Sequence, residues 1–527
     1  MPAAPIPDAH ASDAAVEELA AITAACEAAL SPSAALRRAA APMALNDCNL
    51  EQDTTPAAAA RCAGLGTLSA LPPALLERIL ALLLPRSLTA AGCASAALRA
   101  LAHDEATWRA AAERRAAMGM APPAVRYCTD GSQRDVALLD FAGGSWRGAA
   151  AAGLGAPPPR ACPPRNELLA ALPSAYRRWA LRCASLTPLQ LLPEDCRAVQ
   201  ELDSGAGAGA FAARCDDAQL PGLLRAAASL WPLRGTTASE LADAFPGAPL
   251  QTTARGGLHM TGAAFGAYLR ACAASDTDGA AMDDEPLLVF DSDLGGAAIA
   301  EEVCARYAVP NAVAAGTKGD LLAEGLGETS AERPAHRWLL AAPARSGSRW
   351  RADPALSSSW HALCSGRRRW ALYPPGAAPK GVTLERAPSP PGAPGGPGGA
   401  GADPAVVGPS ALDWFLGVYP TLEPHERPLE CIQHPGDVVW VPAGWWHCVL
   451  NLDETLAVTQ SLLTEASLTA AARRSVVRYE CPSARRMGQR QPFAFLREGA
   501  RERWASETAA RRPHLAEALH KLGLLAK

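Results

Sequence analysis

The chain has 527 residues, of which 49% are hydrophobic and 19% charged, and its formal net charge is -4 at neutral pH. This composition is typical of a soluble globular protein, and the length allows about two to four domains. No run of 18 apolar residues occurs, so we expect no membrane-spanning helix. The 15 cysteines include no CxxC pair, which argues against a zinc ribbon or a secreted disulfide scaffold and favours a reducing compartment.

The first part of the chain is alanine-rich. Residues 1–65 are predicted to be marginal helix or disorder, and their acidic residues are unlike an organelle transit peptide. Residues 66–116 are predicted to form a small helical domain, because Pro72 and Pro73 suit a first helical turn. Apolar side chains follow at helical spacing: Leu75, Leu76, Ile79, Leu80 and Leu83. On periodicity alone this is a generic three-helix unit, with Trp108 on the third helix.

The order of these residues is also informative. The pattern LPxxLLxxIL, a proline, a leucine-rich second helix and a closing WR, within residues 69–109, resembles an F-box. The resemblance implies that an Skp1-like adaptor docks on the apolar helix face, at Leu75, Leu76, Ile79 and Leu80, and links the chain to a cullin ubiquitin ligase. A generic helical bundle stays the alternative.

After a connector at residues 117–200, the chain becomes rich in short strands. Stretches such as PLLVF, RWLLAA and VVWV are bounded by turn residues, and they predict an antiparallel sandwich or barrel over residues 201–475. Residues 387–408 are rich in glycine and proline and are predicted to be a flexible insertion rather than a strand.

The C-terminal part is basic. Residues 464–527 contain 11 Arg and 2 Lys against 6 Glu, which gives +7. We predict a solvated helical face for the tail at 476–527; contact with nucleic-acid phosphates is the weaker alternative. The balanced charge of the whole chain gives no case for nucleic-acid binding.

The strongest chemical signal is HPGDVVWVPAGWWHCVLNL at residues 434–452, which places His447 just after a tight corner. A lone histidine in an apolar strand is usually a packed core residue, but the surrounding motifs are specific. Together with PLLVFDS, RSGSRW, GRRRWALYPPG and LAVTQ, they make residues 223–461 resemble the JmjC domain of Fe(II)- and 2-oxoglutarate-dependent oxygenases. The nearest branches are lysyl hydroxylases of the phosphatidylserine-receptor type and proteins that join an F-box to a JmjC domain.

The resemblance implies an α+β fold: a cupin-type double-stranded β-helix with helical additions, preceded by a small all-α F-box-like domain. It also implies an iron site of two histidines and one carboxylate. The carboxylate maps to Asp353 and the distal ligand to His447, but Arg351 occupies the first histidine position. A guanidinium offers no lone pair to a metal. We therefore expect Arg351 to pair with Asp353 and to stabilise a metal-free pocket.

Other positions depart from the pattern of the resembled family. Leu288 stands where relatives tend to have a cosubstrate-binding tyrosine, and Arg368 replaces the lysine that grips 2-oxoglutarate. Arg368 and Thr459 are predicted to bind the cosubstrate, since an arginine fork suits a carboxylate. His361 replaces an asparagine. Either it completes a rearranged triad with Asp353 and His447, or it is a neutral residue beside the pocket.

Two functions follow from the resemblance. One is an oxygenase that uses Fe(II) and 2-oxoglutarate to hydroxylate or demethylate a protein side chain. The other is a catalytically inactive JmjC module without these cofactors, which recognises a protein client for a ubiquitin ligase. An intact metal site would favour the oxygenase, and a metal-free pocket filled by Arg351 would favour the recognition module. A nuclear or cytoplasmic location is expected for both, without a membrane partner.

Overall fold

The structure is a computed structural model, and it describes residues 65–525 with gaps. No helix in this part of the chain is long and apolar enough to cross a membrane. The residues outside the description, besides the two ends, are 67, 69–70, 72, 84, 103, 120–122, 142–143, 152–172, 204, 278–282, 328–331, 354–356, 386–404 and 477–497. The predicted N-terminal segment and most of the predicted insertion therefore lie outside the described residues.

The chain divides into two compact units. The first takes its residues from 1–121, 139–183 and 280–284, and the second from 122–138, 184–279 and 285–527. The first unit is helical. Its helices are α1 (Pro73–Leu82), α2 (Pro85–Ala94), α3 (Ala96–Ala102), α4 (Glu105–Ala117), α5 (Trp146–Ala151) and α6 (Pro173–Cys183).

The helical prediction for the first unit needs one correction. Trp108 lies on the fourth helix rather than the third, because the chain breaks at Ser95 between α2 and α3. The Ser95 hydroxyl accepts a hydrogen bond from the Leu98 amide at 3.1 Å, as a serine at a helix N-terminus does. Trp108 is buried and donates its indole N–H to the Ala102 carbonyl at 2.6 Å.

The apolar face of α1 packs inside its own unit. Leu76, Ile79 and Leu80 are buried, and Leu75 is partly buried. Leu82, at the end of the same helix, is 60% exposed. The structure therefore places three of the four predicted adaptor-contacting residues in the core of the unit, and their adaptor-binding role stays a prediction.

The second unit is built on two large sheets. The described strands are β1 (Ala124–Tyr127), β2 (Gln133–Val136), β3 (Arg197–Ala198), β4 (Gln200–Leu202), β5 (Gly222–Leu224), β6 (Pro249–Gln251), β7 (His259–Thr261), β8 (Val289–Asp291), β9 (Arg337–Ala342), β10 (Gly347–Arg351), β11 (Ser358–Ser365), β12 (Arg368–Tyr373), β13 (Thr383–Glu385), β14 (Ala405–Val407), β15 (Leu429–Gln433), β16 (Val438–Val441), β17 (Trp446–Asn451) and β18 (Thr455–Leu462). The five-stranded sheet has the order β10-β17-β12-β15-β3, and the seven-stranded sheet has the order β4-β5-β16-β11-β18-β9-β8.

Helices accompany these sheets in the second unit. They are α7 (Ala208–Phe211), α8 (Ala238–Ala244), α9 (Gly262–Thr277), α10 (Ala297–Cys304), α11 (Asn311–Gly316), α12 (Leu321–Leu326), α13 (Ala411–Asp413), α14 (Glu465–Val476), α15 (Glu498–Arg511) and α16 (Ala516–Lys521). The mixture of sheets and helices fits the predicted α+β class.

The two large sheets share one apolar core. Leu223, Val439 and Val441 contribute from the seven-stranded sheet, and Trp370 and Leu372 from the five-stranded sheet. All five side chains are buried. Successive strand residues point to opposite faces, so the inward face of each sheet is fixed by these apolar positions. The space between the sheets is where the candidate site lies.

Two predicted boundaries differ from the structure. Residues 405–407, predicted as part of the insertion, form β14 and pair antiparallel with β13; two adjacent valines after the Gly/Pro stretch favour a strand there. At the end of the predicted connector, β3 already belongs to the five-stranded sheet through parallel pairing with β15, and β4, which begins at the last connector residue, belongs to the seven-stranded sheet through parallel pairing with β5. Such long-range pairing has no local sequence signal.

Arginines in the described part of the basic tail form ion pairs. Arg503 contacts Glu332 at 2.7 Å, and Arg512 contacts Glu324 at 2.6 Å and also Glu465. These contacts tie the C-terminal helices to the rest of the second unit. The arginine-rich stretch at 477–497 lies outside the described residues, so the solvated role of the whole tail stays a prediction.

Candidate site between the two sheets

Strand pairing brings two of the three predicted triad positions together. In the five-stranded sheet, Arg351 at the end of β10 lies directly opposite His447 on β17. Gly444 adopts a φ of 78° in the turn before β17, a conformation that glycine tolerates best. This tight turn returns the chain so that His447 enters the sheet beside Arg351.

The guanidinium of Arg351 is fixed by aromatic neighbours. Its Nε donates a hydrogen bond to Nε2 of His447 at 3.2 Å. The other ring nitrogen of His447, Nδ1, lies 3.3 Å from the carbonyl oxygen of Trp445. A ring that donates from Nδ1 accepts at Nε2, so the two contacts agree. The guanidinium also lies over the ring of Phe290, 4.8 Å from its centroid, in a cation–π arrangement.

A serine links the other two candidate residues. The Ser359 hydroxyl donates to Oδ2 of Asp353 at 2.5 Å and lies 3.0 Å from Nε2 of His361. Since the single hydroxyl proton goes to the carboxylate, the serine oxygen accepts from His361. The other carboxylate oxygen of Asp353 lies 3.7 Å from Nε2 of His447. Asp353, His361 and His447 are therefore near one another, but Ser359 is hydrogen-bonded to Asp353 and His361, and Arg351 is hydrogen-bonded to His447.

Burial strongly affects the protonation of His447, His361 and Asp353. It lowers the pKa of His447 to about 4 and that of His361 well below its ordinary value, so both rings are neutral near pH 7. Burial opposes ionisation of Asp353, yet His447, Arg351 and the Ser359 hydrogen bond leave its pKa below the ordinary value. The site therefore contains a carboxylate beside a guanidinium and two neutral imidazoles.

This arrangement does not fit an iron site of two histidines and one carboxylate. The Nε2 lone pair, through which His447 would bind a metal, already accepts a hydrogen bond from Arg351. Nε2 of His361 is bound to Ser359. Across the described residues, no group of three His, Cys, Asp or Glu side chains is arranged to hold a metal ion. The guanidinium of Arg351 therefore occupies the ligand atom of His447 that a metal ion would need.

The predicted cosubstrate residues lie deeper in the sheets. Arg368 is buried and donates to Oδ1 of Asn451 at 2.9 Å and to the Thr455 hydroxyl at 3.3 Å. Thr459 lies opposite His361 and donates its hydroxyl to the Trp360 carbonyl at 2.8 Å. Leu288 is also buried. The hydrogen-bond partners of Arg368 and Thr459 in the described part of the chain are thus neutral.

Sequence reasoning missed several side chains that shape the site. Ser359 bridges Asp353 to His361, Phe290 supports the guanidinium of Arg351, and Asn451 and Thr455 hold Arg368. Ser359 could have been found, because it precedes His361 by two positions and strand residues two apart share a face. Phe290 carries no comparable signal, since its contact with Arg351 depends on how β8 is placed.

Comparison with known proteins agrees with this architecture. Residues 296–460 match the family described as the cupin-like domain. The chain is 36% identical over 254 residues to the lysine-specific demethylase JMJ21 of Arabidopsis thaliana, covering 47% of this chain and 24% of the relative. It is 32% identical over 191 residues to the bifunctional arginine demethylase and lysyl-hydroxylase psr-1 of Caenorhabditis elegans, covering 35% of this chain and 42% of the relative.

The name of a third relative includes its cofactors. The chain is 31% identical over 133 residues to the 2-oxoglutarate and iron-dependent oxygenase JMJD4 of Mus musculus, covering 25% of this chain and 27% of the relative. The chain therefore spans less than half the length of each of these three relatives. The second unit thus carries a cupin-like domain of the JmjC type, with relatives among the iron- and 2-oxoglutarate-dependent oxygenases.

Proposed function

We propose that this chain is a recognition protein whose JmjC-type domain works without iron. The observation that carries the proposal is the 3.2 Å hydrogen bond from Arg351 Nε to His447 Nε2. It occupies the histidine lone pair with a cation that does not dissociate, because the guanidinium is part of the chain. A fixed positive charge next to Asp353 also neutralises the carboxylate that a metal would otherwise neutralise.

The client of such a module is a protein segment. The names of two relatives describe activity on lysine and arginine, which supports a peptide client. The F-box-like helices of the first unit are proposed to deliver this client to a ubiquitin ligase through an Skp1-like adaptor and a cullin, in the nucleus or cytoplasm. The sequence order LPxxLLxxIL, which begins at Leu71 and continues through α1, supports this link.

The metal-free assignment predicts a specific binding result. Mn(II), used as an iron surrogate, is titrated anaerobically into the purified full chain with 2-oxoglutarate present, and heat and retained metal are measured. We expect no saturable uptake in the micromolar range, because Arg351 blocks His447. Uptake that is lost in both Asp353→Ala and His447→Ala would contradict the assignment.

That contrary outcome would favour the second candidate function, an oxygenase that uses Fe(II) and 2-oxoglutarate. The names of the relatives support this candidate. With Arg351 unable to bind metal, the remaining nearby ligand is His361, which shares Ser359 with Asp353. His361→Ala then discriminates the rearranged triad, since metal uptake unchanged by that substitution would exclude His361.

The ligase link predicts that an Skp1-type adaptor co-purifies with the full chain when the two are expressed together. Leu82→Asp tests the exposed end of α1 and should weaken the complex, because an apolar side chain that is 60% exposed would be buried by a partner. Met118→Asp, an equally exposed apolar position after α4, is the matched control and should bind as the wild type does. Absence of the adaptor from the purified wild-type chain would remove the ligase link and leave the metal-free assignment standing.

A further inference from the structure

The second unit contains a pocket outside the candidate site. Its volume is about 510 Å³, which is within the range of pockets that hold small molecules. Three segments form its walls: residues 217–219, one face of α14 and residues 514–515. None of its lining residues belongs to the group around Arg351 and His447, so the pocket needs an explanation of its own.

The α14 wall has small side chains at its centre and a basic one at its end. Ala466, Thr469, Ala470 and Arg473 line the pocket from this helix, and their spacing of three and four residues places them on one face. Leu515, which is buried, adds a large apolar side chain to the lining. The small side chains leave room for a ligand that carries an aliphatic group.

The wall at residues 217–219 carries an acceptor without a donor. Oε1 of Gln219 is buried and has no hydrogen-bond partner in the described part of the chain. Its Nε2 donates to the Asp216 carbonyl at 2.7 Å, and its own carbonyl accepts the Trp445 indole N–H at 3.0 Å. Gln219 also has a φ of 52°, which is uncommon for a residue other than glycine. These contacts hold a strained residue whose remaining acceptor calls for a donor.

Two opposite charges line the pocket without pairing. Asp217 and Arg473 are both exposed lining residues, and neither forms an ion pair with a described residue. The carboxylate of Glu465 differs, because it contacts Arg512 and lies 3.2 Å from Nε2 of His514. The pocket therefore offers one uncompensated carboxylate and one uncompensated guanidinium.

The surroundings of the 217–219 wall are negatively charged. Burial raises the pKa of the Asp216 carboxyl to about 7, and the charges of Asp217 and Glu465 add to the rise, against the Thr464 hydroxyl and Lys318. Nearby negative charges favour a cation at the same place. A ligand cation is therefore favoured at this wall, and a ligand anion at Arg473.

We propose that this pocket binds a small zwitterion of the amino-acid type, with its ammonium at Asp217 and Gln219 and its carboxylate at Arg473. An ammonium has three N–H donors and a positive charge, so it satisfies both the carboxylate of Asp217 and the bare oxygen of Gln219. A guanidinium binds a carboxylate through two parallel hydrogen bonds. An aliphatic ligand side chain then contacts Leu515 and the alanines of α14.

The same pair of charged groups occurs in a free amino acid and at the two ends of a short peptide. The test is therefore isothermal titration of L-leucine and of leucyl-leucine into the full chain. We expect saturable binding of at least one of them, with a Kd below about 1 mM, and the tighter one identifies the source. Its N-acetylated form lacks the ammonium and its C-terminal amide lacks the carboxylate, so each should bind at least about tenfold more weakly.

Two variants assign the charges separately. Arg473→Gln should weaken the ligand at least about tenfold and abolish the difference between the ligand and its amide. Asp217→Asn should have the corresponding effect on the ligand and its N-acetylated form. Both positions are exposed, so both variants should fold. The matched control is Arg503→Gln, which should bind as the wild type does, because Arg503 is 60% exposed, pairs with Glu332 and does not line the pocket.

Three outcomes would overturn the zwitterion site. The first is the absence of saturable binding of both probes to the folded chain at concentrations up to about 10 mM. The second is equal affinity for the ligand and its two blocked forms. The third is wild-type affinity in both Arg473→Gln and Asp217→Asn. None of these outcomes bears on the metal-free assignment, because the pocket and the candidate site have no residue in common.

Discussion

Replacing Arg351 with histidine is expected to create a metal site in a chain that we propose to work without a metal ion. The imidazole would offer a lone pair where the guanidinium offers only protons, and Nε2 of His447 would lose the hydrogen bond that now occupies it. Asp353 already lies 3.7 Å from that nitrogen. We expect the affinity for Mn(II) to rise at least about 100-fold over the wild type, measured by anaerobic titration calorimetry.

Two variants control this experiment. Arg349→His places a histidine two residues earlier on β10, at a site 48% exposed and paired with Glu285, and it should gain no comparable affinity. The double variant Arg351→His with His447→Ala should lose the gain, because one of three ligands is missing. If folded Arg351→His binds no metal, then Arg351 is not what excludes metal from the site.

The second large effect concerns stability. Glu430 is fully buried and accepts from Arg369 at 2.9 and 2.6 Å and from the Tyr419 hydroxyl at 2.5 Å. Glu430→Ala would leave the guanidinium of Arg369, itself 1% exposed, without its counter-charge. We expect the free energy of unfolding to fall by about 3 to 5 kcal/mol, measured by equilibrium urea unfolding.

An ion pair between turn residues next to the same sheet, Asp453 and Arg367, gives the comparison. Asp453 pairs with Arg367 at 2.7 Å, with 38% of its side chain exposed, and Asp453→Ala should cost no more than about 1 kcal/mol. Glu430→Gln keeps an acceptor for the tyrosine and should fall between the two. A cost for Glu430→Ala as small as that for Asp453→Ala would contradict the structural role of the buried pair.

Local sequence patterns were sufficient for the strands that carry the site. The apolar run VVWV, bounded by Pro/Gly turns, predicts the strand β16, and the tight corner after it leads to His447 on β17. Gly436 and Gly444 indeed adopt positive φ at both turns that flank β16. The same reasoning could not find β3 and β4, whose partners lie far along the chain.

The sequence predicted which residues form the site but not which hydrogen bonds they make. The sequence, through its resemblance to JmjC domains, indicated that Arg351, Asp353 and His447 belong together, and strand pairing places Arg351 opposite His447. We expected Arg351 to pair with Asp353, whereas its recorded hydrogen bond goes to His447. The difference arises from the positions of Phe290 and Ser359, which hold the guanidinium and the carboxylate. Neither contact follows from spacing along the chain.

The pairing of β10 with β17 also affects how the protein folds. Arg351 and His447 are 96 positions apart, and all strands from β11 to β16 lie between them in the chain. Contacts of such long separation form slowly, because the intervening loop must lose its freedom first. During synthesis, β10 therefore has no partner strand until β17 has left the ribosome. We expect this unpaired edge to be the part of the nascent sheet that is most prone to aggregation.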